Sequence, residues 1–271
     1  MASSPYVRQA RGMFSVTIGS TAVAAGDLLY FDGTDWELAS NAANTTYAEA
    51  IAVSSYISGA VGNVCLSCIL VDIDAPYTAE DNYFLSTAGA ITATRPTTAG
   101  ALVQVVGFGL STSELSLVIS APREMLVHMD SRGATSAHAV LDSGNFGGWT
   151  LDAQNEVAVL SCMVPQNCVG LEIAYGWTAA EASAGTPTYD ITVGSALSGA
   201  QHDAVTADAT LANQAAEGTA PDEVLRFDMT TGFDATDILR PGALLGVKFL
   251  ADDAGTDIRF ALGVDMVFLV V

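Results

Sequence analysis

The chain has 271 residues, half of them hydrophobic and only 14% charged, a composition typical of a well-packed β protein with little disorder. Thirty acidic residues against nine Lys and Arg give a net charge of −21 at pH 7. Nucleic acid is therefore not an expected partner, because neutralising phosphates requires clustered basic residues. No apolar run reaches the ~20 residues of a membrane helix, so no membrane partner is expected either.

The chain length predicts two domains of ~100 to 150 residues each, preceded by a short arm. Residues 1–14 are small and polar and contain Arg8 and Arg11, a concentration of positive charge in an acidic chain. We expect an N-terminal arm here, either frayed at its end or docked on an acidic or carbonyl-lined groove of a neighbouring subunit. In the second case Arg8 and Arg11 would be the contact residues.

Residues 15–121 are predicted to form a small β-barrel or β-sandwich domain. The alternation of Phe14, Val16 and Ile18 with small polar residues indicates a half-buried strand. An Asp-Gly turn at 32–35 joins two short apolar runs and predicts a hairpin. Further strands are expected near 48–54, 62–71, 82–86, 102–110 and 114–119. About seven short strands at this spacing are typical of a compact barrel or sandwich.

A connector is expected at 122–137, with a short helix or one more strand as the alternatives within it, because Pro122 ends the preceding strand and the following residues show no strict period. Residues 138–271 then return to strand patterns and predict a jelly-roll-like β-sandwich domain. Its strands are expected near 157–160, 170–177, 189–193, 223–228, 243–250 and 258–271. The second part carries four basic and 18 acidic residues, against five and 12 in residues 1–137. We therefore expect the second domain to face solvent more than the first.

The sequence predicts neither a catalytic site nor a metal site. None of the three histidines stands in a nucleophile motif, and Gly107-Phe-Gly109 predicts a turn or a bulge rather than a phosphate loop. Cys65 and Cys68 lie in one apolar run, where residues three apart should face opposite sides, so we expect buried free thiols. Cys162 and Cys168 are expected to be reduced, although a disulfide is geometrically possible. The acidic segment 252–257 predicts a hairpin turn, with Ca²⁺ binding as the alternative.

Four aromatic residues of the second domain offer one possible ligand surface. Aromatic rings stack on the apolar faces of sugars, so these side chains could form a glycan-binding platform: Trp149, Tyr175, Trp177 and Tyr189. The competing interpretation is core packing, since large aromatic residues usually supply the core of a sandwich. Sequence alone favours the core.

Two phrases of the first domain carry a family resemblance: GDLLYFDGTDWEL at 26–38 and DNYFLSTAGAITATRPTTAGALVQVVGFGL at 81–110. Together they resemble a β module of tailed-bacteriophage virion proteins, of the capsid decoration or cement type, over roughly Gly26 to Leu117. The second part is similar, more loosely, to jelly-roll domains of such proteins, in the strand 171–177 and in 242–249.

The resemblance implies a non-enzymatic structural protein without a cofactor, located on the exterior of a virion assembled in the host cytoplasm. It implies a major capsid protein as partner and a homo-oligomer, with a trimer favoured. The alternative is a head- or tail-fibre component whose β sandwich binds a receptor or glycan. A major capsid protein is a less favoured alternative, because no long spine helix is readable in the sequence. A glycan-active enzyme is the least favoured.

Overall fold

The computed structural model shows an all-β protein with antiparallel sheets, a small β sandwich followed by a jelly-roll-like β sandwich. It describes residues 4–74, 77–134, 138–140, 147–151, 157–180, 188–197, 209–215, 224–233, 239–251 and 259–271. The chain divides into two compact units: unit 1 ends at Arg123, and unit 2 covers Glu124–Val270. None of the helices in this part of the chain is long and apolar enough to cross a membrane.

Unit 1 contains a six-stranded and a five-stranded antiparallel sheet. The six-stranded sheet has the order β1-β7-β11-β10-β8-β9, with β1 Tyr6–Arg11, β7 Ser67–Val71, β8 Asn82–Leu85, β9 Ile91–Thr92, β10 Val105–Gly109 and β11 Glu114–Val118. The five-stranded sheet has the order β2-β6-β5-β3-β4, with β2 Phe14–Thr17, β3 Leu28–Phe31, β4 Trp36–Leu38, β5 Ala50–Ala52 and β6 Val61–Cys65. A short 3-10 helix covers Asn44–Thr46.

The core of unit 1 receives alternate apolar side chains from both sheets. Leu28 and Ile51 come from the five-stranded sheet, and Leu115 and Leu117 from the six-stranded sheet; all four are fully buried. The amide of the buried Gln104 joins the segments that lead into the two sheets. Its Oε1 accepts a hydrogen bond from Ala48 N at 2.7 Å, and its Nε2 donates one to Ala48 O at 2.9 Å. The buried amide is thereby paired, as a buried polar group must be.

The described residues of unit 2 form ten strands around one core. Its strands are β12 Arg123–Ala134, β13 His138–Val140, β14 Gly147–Leu151, β15 Val157–Met163, β16 Cys168–Ala180, β17 Thr188–Ala196, β18 Ala209–Ala215, β19 Val224–Asp228, β20 Leu244–Ala251 and β21 Arg259–Val270. A 3-10 helix covers Thr230–Phe233. The order is β13-β14-β21-β12-β15-β20-β17-β18, and β16 pairs with both β21 and β19. Buried side chains of β17, β20 and β21, including Ile191, Phe249 and Phe268, meet in one cluster.

The predicted arm at 1–14 is wrong over residues 6–11, which form strand β1 of the six-stranded sheet, and residues 1–3 lie outside the described residues. β1 pairs antiparallel with β7, with Tyr6 opposite Val71 and Arg8 opposite Ile69. No side chain of β1 is buried, so the strand shows no hydrophobic alternation from which it could be predicted. Its backbone hydrogen bonds to β7 fix it as an edge strand instead.

The connector predicted at 122–137 is a strand over most of its length, which is one of the alternatives left open for this segment. β12 occupies 123–134 and pairs with β15, with Ser131 opposite Leu160. Apolar residues lie on both faces of β12: Met129 is buried, whereas Leu126 is 68% exposed. Because both faces of β12 carry apolar residues, its sequence lacks the alternation of apolar and polar residues that identifies a half-buried strand. Residues 135–137 lie outside the described residues.

Other strands agree with the sequence patterns or add to them. A register shift between Val105 and Gly107 confirms the bulge predicted at Gly107. The sequence did not predict β9, β13 or β14, which are short. The predicted turn at 252–257, with its alternative Ca²⁺ site, lies outside the described residues.

Candidate functional site

Two surfaces of the described chain are candidate binding sites, one in each unit. Unit 1 exposes apolar side chains, and unit 2 exposes a row of aromatic and charged side chains. The first lies on the outward side of the six-stranded sheet of unit 1. Residues directly opposite in an antiparallel sheet share a face, so the register identifies its members. We call this surface the apolar face; its exposed apolar side chains are Tyr6, Val105, Phe108 and Val118, and its charged side chains are Arg8, Arg11 and Glu114.

Exposed apolar groups dominate the apolar face. Tyr6 is 55% exposed, Val105 50%, and Phe108 and Val118 46% each. Phe108 lies opposite Ser116 on β11, and Ser116 lies opposite Ile69 on β7, so a continuous row crosses the sheet. Four half-exposed apolar side chains on one sheet face make this face a candidate interaction site.

The charge of the apolar face differs in sign from that of the chain. Arg8 donates from its guanidinium to Glu114 Oε1 at 2.7 Å, so this pair is internally neutralised. Arg11 lies opposite Ser67 at the other end of β1. Two arginines and one glutamate give this face a formal charge of +1, whereas the whole chain carries −21. Both arginines predicted as contact residues therefore lie on the apolar face, but on a strand rather than on an arm.

The second surface crosses four adjacent strands of unit 2, in the order β19-β16-β21-β12. We call it the aromatic row; it consists of Arg226, Tyr175, Trp177, Asp265 and His128. Tyr175 and Trp177 alternate on β16 with the buried residues Ala174 and Gly176, so both point away from the core.

Asp265 lies at the centre of the aromatic row and receives two partners. Trp177 Nε1 donates to Asp265 Oδ2 at 2.6 Å, and His128 Nδ1 lies 2.6 Å from Asp265 Oδ1. These contacts hold the indole ring from its edge and fix its orientation on the sheet. The Asp265 side chain is 27% exposed and that of His128 is 51% exposed, so the network opens to solvent.

Arg226 covers one of the two rings. Its guanidinium carbon lies 4.1 Å from the centroid of the Tyr175 ring and 6.0 Å from that of Trp177. The first distance is well within the range of a cation–π contact, and the second lies at the limit of that range. Tyr175 therefore supports Arg226, and its ring face is not open for stacking.

Asp228 lies on the same edge strand as Arg226, and its carboxyl group ionises at a lower pH than an ordinary aspartate. The Thr230 hydroxyl donates to Asp228 Oδ1 at 2.6 Å, and the Thr230 amide donates to the same oxygen at 2.9 Å. These hydrogen bonds, together with the nearby charge of Arg226, hold the pKa of Asp228 below its usual value. An ionised acceptor thus flanks the guanidinium donor.

The four predicted platform aromatics are only partly brought together. Tyr175 and Trp177 are neighbours in the aromatic row. Trp149 lies on β14, opposite Ala261 of β21. Tyr189 lies on β17, which is separated from β21 by β12, β15 and β20. Sequence reasoning missed His128, Arg226 and Asp265, because no local pattern connects positions as far apart as 177 and 265.

The four cysteines form neither a disulfide nor a metal site in the described chain. All four are free. The prediction that Cys65 and Cys68 face opposite sides is wrong: β6 ends at Cys65, β7 begins at Ser67, and the two thiols hydrogen-bond. Burial raises the pKa of Cys162 and Cys168 to about 11. Within the described residues, no group of three or more His, Cys, Asp or Glu could hold a metal ion.

Gly263 makes room for the His128 side chain, which gives a testable prediction. A Cβ at this position would lie 2.8 Å from His128 Cε1 and 3.1 Å from Met129 O. Gly263→Ala should therefore displace His128 from Asp265 and lower the free energy of unfolding by about 1–3 kcal/mol. The displacement would be read from the His128 ring resonances by NMR, and the stability from urea unfolding.

Gly170→Ala is the matched control, because it lies on β16 of the same sheet and its Cβ would approach nothing closer than Leu269 at 3.7 Å. Unchanged His128 resonances in Gly263→Ala would contradict the assigned role of Gly263.

Comparisons with known proteins identify no family for the chain. No family model matches the sequence, and no curated protein matches it. Similar solved structures include a xylan-binding module, CBM15, at 13% identity and a TM-score of 0.33, over 54% of this chain and 97% of that one. Infectious bursal disease virus-derived T=1 particles match at 11% identity and a TM-score of 0.36, over 99% and 70%.

A third similar structure is dimeric latent PorU from Porphyromonas gingivalis, at 10% identity and a TM-score of 0.33. It covers 98% of this chain and 24% of that one. Viral capsid structures and a carbohydrate-binding module thus occur among the similar structures. At these TM-scores the likenesses carry no conclusion about ligand, partner or activity.

Proposed function

We propose that this protein is a non-enzymatic virion structural protein that binds the outside of an assembled bacteriophage capsid and stabilises it, as a decoration or cement protein. The observation that carries the proposal is the apolar face of unit 1. The resemblance of residues 26–117 to a β module of such virion proteins supports it.

The apolar face suits contact with a protein surface. Four half-exposed apolar side chains would leave water on binding, which favours association by roughly 25 cal/mol for each Å² of apolar area buried. The apolar face has a formal charge of +1, so an acidic shell surface would not be repelled by it as it would be by the rest of the acidic chain. We therefore assign the apolar face to the shell contact, with Arg11 available to an acidic group or a carbonyl of the shell.

The proposed mechanism is stabilisation by mass action. A ligand that binds the assembled shell, but not its dissociated subunits, shifts the equilibrium towards the shell. A symmetric lattice repeats each contact many times, so a modest interface suffices when several copies are linked. The proposed partner is the major capsid protein, and the proposed state is a homo-oligomer, with a trimer favoured. This mechanism needs no cofactor.

Electron microscopy of purified particles with and without the protein tests this proposal. We expect surface protrusions on particles that contain the protein, with density for the apolar face turned towards the shell. Particles lacking the protein should bind it when it is added back and should then cosediment with it. Particles that show the same protrusions in its absence would overturn the proposal.

A head- or tail-fibre component with a glycan-binding sandwich is the second candidate function. The observation that favours it is the outward orientation of Trp177, whose indole is held at its edge by Asp265. A tryptophan that only filled the core would point inward. The two functions are separable by experiment, because the apolar face and the aromatic row lie in different units.

A further inference from the structure

The aromatic row presents one partly exposed indole ring, that of Trp177, beside the exposed polar side chains of Arg226 and Asp228. Trp177 is partly exposed, and its orientation is fixed by the contacts of Asp265 with the indole and with His128. A side chain held in place before binding loses less conformational entropy when a ligand arrives. The indole is therefore preorganised as a stacking surface.

Arg226 supplies hydrogen-bond donors next to this ring. Its contact with Tyr175 holds the guanidinium plane on the sheet, and within the described part of the chain no carboxylate lies within ion-pair distance of it. A guanidinium carries five N–H donors in a fixed arrangement. These donors face solvent on an exposed residue of β19, which is an edge strand.

Asp228 supplies the matching acceptor. Its Oδ1 accepts both hydrogen bonds from Thr230, and an ionised carboxylate has further acceptor sites on its second oxygen. Arg226 and Asp228 are two residues apart on one strand, so their side chains leave the same side of the sheet. A donor and an acceptor therefore stand side by side near the indole.

We propose that the aromatic row binds a neutral oligosaccharide, with the apolar face of one pyranose ring stacked on Trp177. A sugar ring combines an apolar face with neighbouring hydroxyls that both donate and accept hydrogen bonds, which matches Trp177, Arg226 and Asp228 together. This proposal deepens the second candidate function and does not depend on shell binding.

The local charge selects a neutral saccharide over an acidic one. Arg226 is opposed by two carboxylates, Asp265 of the aromatic row and the adjacent Asp228, so this surface offers no excess of positive charge to an acidic saccharide. Residues 138–271 carry a formal charge of −14, four basic against 18 acidic residues, and would repel an anionic glycan at long range.

The test is a titration of the full chain, followed by the Trp177 indole N–H resonance in NMR. The probes are neutral hexasaccharides of β-1,4-linked glucose, mannose and xylose and of α-1,4-linked glucose, with oligogalacturonate as the acidic probe. We expect at least one neutral probe to shift this resonance to saturation and the acidic probe to bind at least tenfold more weakly. Trp177→Ala, followed by calorimetry, should weaken binding at least tenfold, whereas Trp177→Phe should restore part of it.

Arg226→Lys separates recognition from folding, because a lysine keeps the charge but loses the planar donor arrangement. We expect weaker saccharide binding by this variant with unchanged urea unfolding. Three results would overturn the proposal: no saturable shift with any neutral probe, tighter binding of oligogalacturonate, or wild-type affinity in Trp177→Ala. Shell binding by Trp177→Ala should equal that of the wild type, so failure of the cement function would be seen separately.

Discussion

Phe108→Asp is expected to weaken binding of the protein to capsid shells by about 30-fold or more. Phe108 lies on β10 near the middle of the six-stranded sheet and is 46% exposed. A central aromatic side chain of an interface commonly contributes 2 kcal/mol or more, and a buried, unpaired carboxylate would add a desolvation cost. Cosedimentation of the purified variant with shells that lack the protein measures the loss.

Val61→Asp is the matched control for this experiment. Val61 is 73% exposed and lies on β6 of the five-stranded sheet, so it is outside the apolar face. We expect it to bind shells like the wild type. Circular dichroism should show that both variants are folded. Equal loss of binding in both variants, or in neither, would show that the apolar face is not the shell contact.

Phe249→Ala is expected to lower the free energy of unfolding of unit 2 by about 3–5 kcal/mol, the usual cost of truncating a buried phenylalanine. Phe249 is fully buried on β20, where it lies opposite Ala158 of β15 and Ile191 of β17. Removing the ring leaves a cavity between three adjacent strands. Urea unfolding followed by the Trp177 indole resonance reports on unit 2.

Leu244→Ala provides the control on the same strand. Leu244 is 51% exposed, so its truncation should change the free energy of unfolding by no more than about 0.5 kcal/mol. If Phe249→Ala cost as little as Leu244→Ala, the assignment of β20 to the core of unit 2 would be wrong.

Strands that bury alternate residues could be predicted from the sequence. In β15, β20 and β21, every second described residue is apolar and lies in the core of unit 2. This period of two is the local signature of a half-buried strand. β1 could not be predicted, because none of its side chains is buried. Its position depends on backbone pairing with β7, which no local pattern encodes.

The candidate surfaces were predictable in composition but not in arrangement. Arg8 and Arg11 were singled out for their charge, yet only the pairing of β1 with β7 places them on the same sheet face as Phe108. Trp177 was identified as a candidate, but its hydrogen bond to Asp265 joins residues 88 positions apart. Such contacts depend on strand order, and a single sequence does not specify that order.

The most direct test of the proposed function is the temperature at which capsid shells rupture, measured with and without the bound protein by release of packaged DNA to a fluorescent dye. We expect shells that lack the protein to rupture at a lower temperature. Adding the wild-type protein back should restore the higher temperature, and adding Phe108→Asp should not. The same rupture temperature for shells with and without the protein would contradict the claim that it stabilises the assembled capsid.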